Sequence, residues 1–349
     1  MGDHDEKETV CVTGGGGYLK ETVCVTGGGG YVASWLVKLL LLRGYKVHGT
    51  VRDPGDDGKN GHLKKLENAA ENLQLFKADV LDFESLCEAI DGCTGVFHTA
   101  CPVPYYSSAL QDPEVEMIRP AVEGTYNVLK ACSKAKVKRV VMVSSVAAVF
   151  MKPNLTKDQI LDETCWSDTE YCMKNDELEE LPWFKCYTYA KTQAEIQAFE
   201  YAKENGLDLV TVCPAPIIGP LLRPAMNAAS ALLLSFARDG VEKVDTNFDF
   251  MVVDVRDVAE ALLLVYEKPE ANGRYICAAY PGSHLVLVNK MKTFYPSLNY
   301  PKQISEQCFA RKLSNEKLLR LGWKYRALEE SIVDSVEDFF EKGLLDRKA

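Results

Sequence analysis

Three side chains in this sequence have the chemistry to move a proton onto an oxygen: the hydroxyl of Ser145, the phenol of Tyr187 and the ammonium of Lys191. Tyr187 and Lys191 stand at i and i+4, which puts them on one face of a helix. An ammonium one turn from a phenol favours the phenolate, so the spacing predicts a Tyr187 pKa lowered toward working pH. A serine facing the pair would hydrogen-bond an oxygen on which charge is developing. Tyr189 is a near neighbour, but only Tyr187 has the four-residue spacing to Lys191. A Tyr-x-x-x-Lys word is common by chance, so its weight rests on the elements that carry it.

Those elements alternate. Thr22–Thr26 is a β-branched strand, and Tyr31–Leu40 reads as a buried helix ending near Gly44. Tyr45–Val51, Leu73–Asp79, Gly95–Thr99, Arg139–Ser145 and Asp208–Cys213 read as further strands, with Val115–Ala135 and Tyr187–Glu204 as helices. Alternation of this kind implies an α/β fold, a doubly wound parallel sheet of Rossmann type, with ligands at the carboxyl ends of the strands. Ser145 then closes one strand, and Tyr187 and Lys191 ride on the helix that follows.

Between the first strand and the first helix lies Thr26-Gly27-Gly28-Gly29-Gly30-Tyr31-Val32-Ala33, of the form T-G-x-x-G-x-x-A. Gly27 permits a tight turn, Gly30 lets backbone approach a pyrophosphate, and Ala33 lets the helix sit close to the sheet. Tyr31 and Val32 open the helix, whose free N–H groups attract an anion. The end of the second strand selects the cofactor. An NAD site wants an acid there. Here Arg52 can fork onto a 2′-phosphate and Lys59 can add a charge, which points to NADP(H); the adjacent Asp53 keeps the question open. Asp79, followed by Val80, ends the third strand; it could accept from the adenine amino group or cap the helix Phe83–Ala89. Thr99 and Ala100 are expected to line the nucleotide by their backbone, and His98 to be a buried, satisfied histidine.

The opening carries an internal repeat. Lys7–Leu19 and Lys20–Val32 match at twelve of thirteen positions, and nothing further repeats. Two units do not make a solenoid. Only the second copy is followed by a helix, so residues 1–19 are expected to form a loose arm. The rest divides into a cofactor domain, 20–220, with a substrate-side insertion at 151–186, and a mainly substrate-binding lobe, 221–349. With 40 basic and 50 acidic residues the net charge is −10, which argues against nucleic acid. Apolar runs are too short to span a bilayer, and the acidic, polar start suits neither a signal nor a transit peptide. The expected address is the cytoplasm. Twelve cysteines are scattered singly, and neither they nor the histidines have metal-site spacing.

VTGGGGYVASWLV, GTVRDP, FHTACPV, RVVMVSSVAAVF, DETCWSD, YTYAK and VDVRDVAEALLLVYEKPEANGRYIC together resemble the extended short-chain dehydrogenase/reductases, and within them the plant cinnamoyl-CoA reductase and dihydroflavonol 4-reductase group. The resemblance runs from Thr22 to about Leu344. It implies that Ser145, Tyr187 and Lys191 are the catalytic triad, with Lys191 also on the nicotinamide ribose. It further implies that Arg52 and Lys59 hold the 2′-phosphate and that Pro214–Ile217 lies along the nicotinamide. Three departures bear on substrate. A His-x-x-Lys pair associated with CoA in cinnamoyl-CoA reductases aligns with Leu233 and Phe236, and an arginine aligns with His284. The expectation is an NADPH-dependent reductase of an aromatic, phenylpropanoid-type carbonyl, preferring a free aldehyde or ketone to a thioester. A non-catalytic NADP-binding regulator and an NAD-dependent sugar-nucleotide epimerase or dehydratase are the alternatives. Oligomeric state is not legible.

Overall fold

A computed structural model describes residues 21–103, 111–156, 158–174, 182–223, 225–244, 251–304 and 312–347. The first copy of the repeat lies outside the described residues. The second supplies the first strand, β1 (Thr22–Thr26), and the turn into α1 (Tyr31–Leu42). The main sheet continues with β2 (Lys46–Val51), β3 (Leu73–Lys77), β4 (Gly95–His98), β5 (Arg139–Val143) and β6 (Leu209–Pro214). Two short strands follow, β7 (Ile217–Ile218) and β8 (Met251–Asp254), and then β9 (Gly273–Cys277). The main sheet has seven strands in the order β9-β6-β5-β4-β1-β2-β3. Every pairing within it is parallel. The order reverses between β1 and β4, which opens the crevice where such sheets bind ligands.

The core follows from strand periodicity. On β1, Val23 and Val25 face one layer and Cys24 the other; on β5, Val141 faces the first and Val140 and Met142 the second. The first layer is closed by α1 and by α7 (Val255–Glu267), through Leu36, Leu40, Val258 and Leu262. The second is closed by α3 (Phe83–Ile90), α4 (Arg119–Lys134) and α5 (Pro182–Asn205), through Leu86, Leu129, Ala194 and Ala198. Residues buried on both faces explain why these strands read as continuous apolar runs.

A third cluster builds the other lobe. Leu233 and Leu234 of α6 (Ala228–Arg238), Leu287 and Met291 of α8 (His284–Phe294), and Ile332, Val336 and Phe339 of α9 (Leu328–Glu341) pack together. The segment 221–349 is shared between lobes, because β9 joins the main sheet as its edge strand and α7 packs on α1. The lobes meet tightly at one root: the Tyr31 hydroxyl donates to the Gly219 carbonyl at 2.9 Å and the Trp35 indole to the Pro220 carbonyl at 3.0 Å. Among the described residues no helix is long and apolar enough to cross a membrane.

Candidate active site

The catalytic-type residues converge as their spacing requires. Ser145 lies just beyond β5, and α5 begins at Pro182, five residues earlier than the sequence pattern placed it. Tyr187 and Lys191 therefore sit in the second and third turns of a helix 24 residues long, where backbone fraying is small. The Ser145 side chain lies near enough to the Tyr187 phenol to pull its pKa down, and its Oγ accepts the Ala147 N–H at 3.1 Å. Lys191 is buried and donates to the Val143 carbonyl at 2.7 Å, which ties α5 to the end of β5.

The expected lowering of the Tyr187 pKa is not what the site produces. Burial raises it, and the Lys191 charge and the Ser145 side chain pull it down without reversing the shift. Tyr187 is therefore held protonated at neutral pH, the form that gives a proton to an oxygen. Burial also works against the charge on Lys191. Cys101, Tyr187, Glu195 and Cys213, negative when ionised, outweigh it and leave the Lys191 pKa above the usual lysine value.

All three residues line a cavity of about 760 Å³. One wall carries Gly30, Tyr31, Val32 and Thr99 from the carboxyl ends of β1 and β4. Pro214, Ile217, Phe150, Trp183, Phe184 and Met226 also line the cavity. Aromatic and aliphatic side chains thus dominate the end nearest Tyr187, as pockets for flat apolar molecules require.

The glycine turn is built for an anion. Gly27 has φ +65°, and its N–H donates to Thr50 Oγ1 at 2.9 Å while Gly28 N–H donates to the Thr50 carbonyl at 2.8 Å. A Cβ on Gly30 would stand 3.1 Å from the Gly27 carbonyl oxygen, so the fourth glycine closes a turn that a side chain would press open. Helix α1 starts with no side-chain cap and no acid in its first turn. Its free N–H groups and positive end accordingly face the cavity mouth.

At the end of β2, Arg52 is exposed and has no carboxylate partner among the described residues. Asp53 turns away: its Oδ1 accepts the Gly55 N–H at 2.9 Å. Lys59 lies in α2 (Asp57–Lys64), exposed, with its ammonium 3.1 Å from Asp56, so part of its charge is already answered. These features fit a dinucleotide with a 2′-phosphate better than one with a free ribose 2′-hydroxyl.

Asp79 is not the cap of α3; Asp82 is, accepting from Ser85 N–H, while Asp79 is exposed and accepts from Leu81 N–H at 2.9 Å. Val80 packs against Gly124 of α4, and its carbonyl accepts from Asn127 at 3.1 Å. The Thr99 and Ala100 N–H groups both point to Thr26 Oγ1, at 3.1 Å each, and the Thr99 hydroxyl donates to the Thr26 carbonyl. Their backbone donors are therefore spent on binding β4 to β1, although Thr99 still lines the cavity. His98 is a buried, satisfied histidine, bonded to Thr26 Oγ1 at 2.9 Å and Thr125 Oγ1 at 3.1 Å. The α7 cap is Asp254, and Asp257 is instead the buried partner of Arg326.

Beneath the reacting residues lies a group that local spacing does not reveal. Glu195, one turn beyond Lys191, is fully buried and pairs with Arg274 of β9 at 3.0 Å. It also accepts from Ser144 at 2.7 Å and Thr211 at 2.6 Å. Arg274 lies over the Trp166 ring, 3.6 Å from its centroid, and donates to the Ala148 and Cys165 carbonyls.

Comparison with known proteins agrees with this geometry. Residues 23–278 match the model of the NAD dependent epimerase/dehydratase family. The chain belongs to that family. Within it, the chain is 46% identical over 342 residues to "Cinnamoyl-CoA reductase 1" of Petunia hybrida, covering 97% of this chain and 94% of that one. It is 41% identical over 341 residues to "Tetraketide alpha-pyrone reductase 1" of Arabidopsis thaliana, covering 97% of each. Among solved structures it resembles vestitone reductase from alfalfa, with TM-score 0.78, 29% identity, and 93% and 100% of the two chains covered. It also resembles yeast methylglyoxal/isovaleraldehyde reductase complexed with NADPH, with TM-score 0.79, 26% identity and the same coverage. Leu233, Phe236 and His284 do not line the cavity. Leu233 and Phe236 are buried in the third core cluster or beside it, and the His284 ring lies 5.0 Å from Phe236. Burial lowers the His284 pKa to about 4, so that ring is uncharged at neutral pH.

Proposed function

We propose that the protein is an NADPH-dependent carbonyl reductase acting on a flat, aromatic aldehyde or ketone of phenylpropanoid or flavonoid type. The observation that carries this is the meeting of Ser145, Tyr187 and Lys191 in one cavity that is also lined by Gly30, Tyr31 and Val32 at the glycine turn. NADPH, when bound, supplies the hydride. Tyr187 gives its hydroxyl proton to the carbonyl oxygen, and Ser145 hydrogen-bonds that oxygen as its charge grows. Lys191, charged and fixed by the Val143 carbonyl, steadies the tyrosinate left behind.

The first turn of α1, with Gly27, Gly30, Tyr31 and Val32, receives the diphosphate, and Arg52 with Lys59 receives the 2′-phosphate. Pro214 and Ile217 form the bed for the nicotinamide. Residues 221–349 mainly hold the substrate. Arg223 and Lys191 are the charged side chains lining the cavity among the described residues, which favours a free carbonyl over a CoA thioester, whose phosphates need several cations. The free thiols found at every described cysteine suit a reducing, cytoplasmic setting.

The test is direct. Purified protein with NADPH is offered aromatic aldehydes, hydroxycinnamoyl thioesters and dihydroflavonols while the absorbance of reduced nicotinamide is followed. Turnover of a free carbonyl is expected. Tyr187→Phe should lower it by roughly 100-fold or more, the scale of a lost general acid, with NADPH affinity unchanged. Persisting turnover in that variant overturns the proton donor. Binding of NADPH without turnover of any carbonyl favours a regulator.

A further inference from the structure

Arg223 follows β7 at the start of the second lobe, yet its guanidinium reaches back across the cavity mouth. Its Nη1 comes to 3.5 Å from the Gly29 carbonyl oxygen, on the glycine turn. Arg223 and Lys191 are the charged side chains among the described residues that line the cavity. Lys191 is engaged by the Val143 carbonyl at the reacting end. Arg223 is half-buried, and no carboxylate among the described residues pairs with it.

A cation taken partly out of water without a counter-charge is costly and wants an anion. Burial lowers its pKa, and its charge, after burial, helps to lower that of neighbouring His62. His62 bonds Ser34 of α1 at 2.8 Å, so the cation stands over the first turns of that helix. There, α1 offers backbone N–H groups with neither a side-chain cap nor an acid. Two incomplete arrangements, an unanswered guanidinium and an uncapped helix end, thus lie beside the same glycine turn. A single anion between them completes both.

We propose that Arg223 closes over the diphosphate of the dinucleotide from the second lobe, so that the diphosphate is gripped between α1 and a residue of the substrate side. This rests on the reading that the cavity takes NADPH. The anion is the diphosphate because Arg223 touches the glycine turn. The 2′-phosphate belongs to the end of β2, with Arg52, and the reacting oxygen belongs to Tyr187 on α5. The grip also links the lobes through the ligand, so cofactor binding sets the wall against which the carbonyl packs.

The test uses the whole chain without any carbonyl present. NADPH, NADH and adenosine 2′-monophosphate are titrated by calorimetry into wild type, Arg223→Gln, Arg223→Lys and Arg52→Asp. In Arg223→Gln both dinucleotides should weaken by a common factor, about tenfold for one charge-assisted bond, while the monophosphate is unaffected. Arg223→Lys should recover part of the loss. Arg52→Asp should instead weaken NADPH and the monophosphate far more than NADH.

The proposal is overturned if Arg223→Gln binds both dinucleotides like wild type. It is equally overturned if only NADPH weakens, which would move Arg223 to the 2′-phosphate. Thermal melts of both Arg223 variants establish that they are folded. If wild type binds neither dinucleotide, the cofactor reading itself fails, which is a separate result.

Discussion

At Tyr187 two forces act on one proton. Desolvation holds it on the phenol and Lys191 pulls it off, and desolvation wins. The Tyr-x-x-x-Lys spacing made the lysine legible, because i and i+4 contacts are local. The burial that overrides it comes from distant segments, and no spacing carries that information. His98 shows the same physics in a group that does no chemistry. Burial, with help from the Lys191 charge, lowers its pKa from 6.5 to about 3. Because the folded value lies below the unfolded one, the neutral ring stabilises the fold above about pH 6.5. That contribution is lost progressively as pH falls toward 3, and it amounts to something on the order of 4 kcal/mol. Urea unfolding from pH 7 to pH 4 should therefore fall steeply in wild type and less steeply in His98→Asn. Parallel slopes would mean that His98 is not the group responsible. Arg223 was not legible at all: it stands 194 positions from Gly29 in the chain, and only the fold brings it over the turn.

Between elements, the pairing of Glu195 with Arg274 does for α5 what capping does for a shorter helix. It locks α5 to β9, and through Ser144 and Thr211 to β5 and β6. Lys191 lies one turn away on the same helix, and Ser145 follows Ser144, so this ion pair fixes the register on which the reacting groups depend. Glu195→Gln leaves a buried guanidinium without its counter-charge and should cost about 3–5 kcal/mol in urea unfolding. The double variant Glu195→Gln with Arg274→Met should recover most of that, since an apolar replacement of the whole pair removes the unpaired charge. A double variant as unstable as the single one would show that the hydrogen bonds matter more than the charge. The strand–turn–helix of β1 and α1 was legible because its signals are consecutive residues, and so was the parallel sheet. The start of α5 was placed late, and the choice at Asp79 between adenine and a cap could not be made from sequence, because neighbouring acids compete for the same role: Asp82 caps α3 and Asp254 caps α7.

For the molecule as a whole, the second repeat copy suffices to build the strand and turn that face the cavity. Deleting Lys7–Leu19 is expected to leave NADPH affinity within about twofold of wild type, a difference of about 0.4 kcal/mol, as read by calorimetry. A large loss would assign the site to the first copy. The two lobes are joined at a root where Tyr31 and Trp35 of α1 hold the Gly219 and Pro220 carbonyls. Ser145, Tyr187 and Lys191 come from one side of that root, and Ala225 to Ala229, which line the same cavity, from the other. The lining of the cavity is consequently written in separate stretches of gene. Recombining that five-residue span among relatives would reshape one side of the cavity while leaving Ser145, Tyr187 and Lys191 in place.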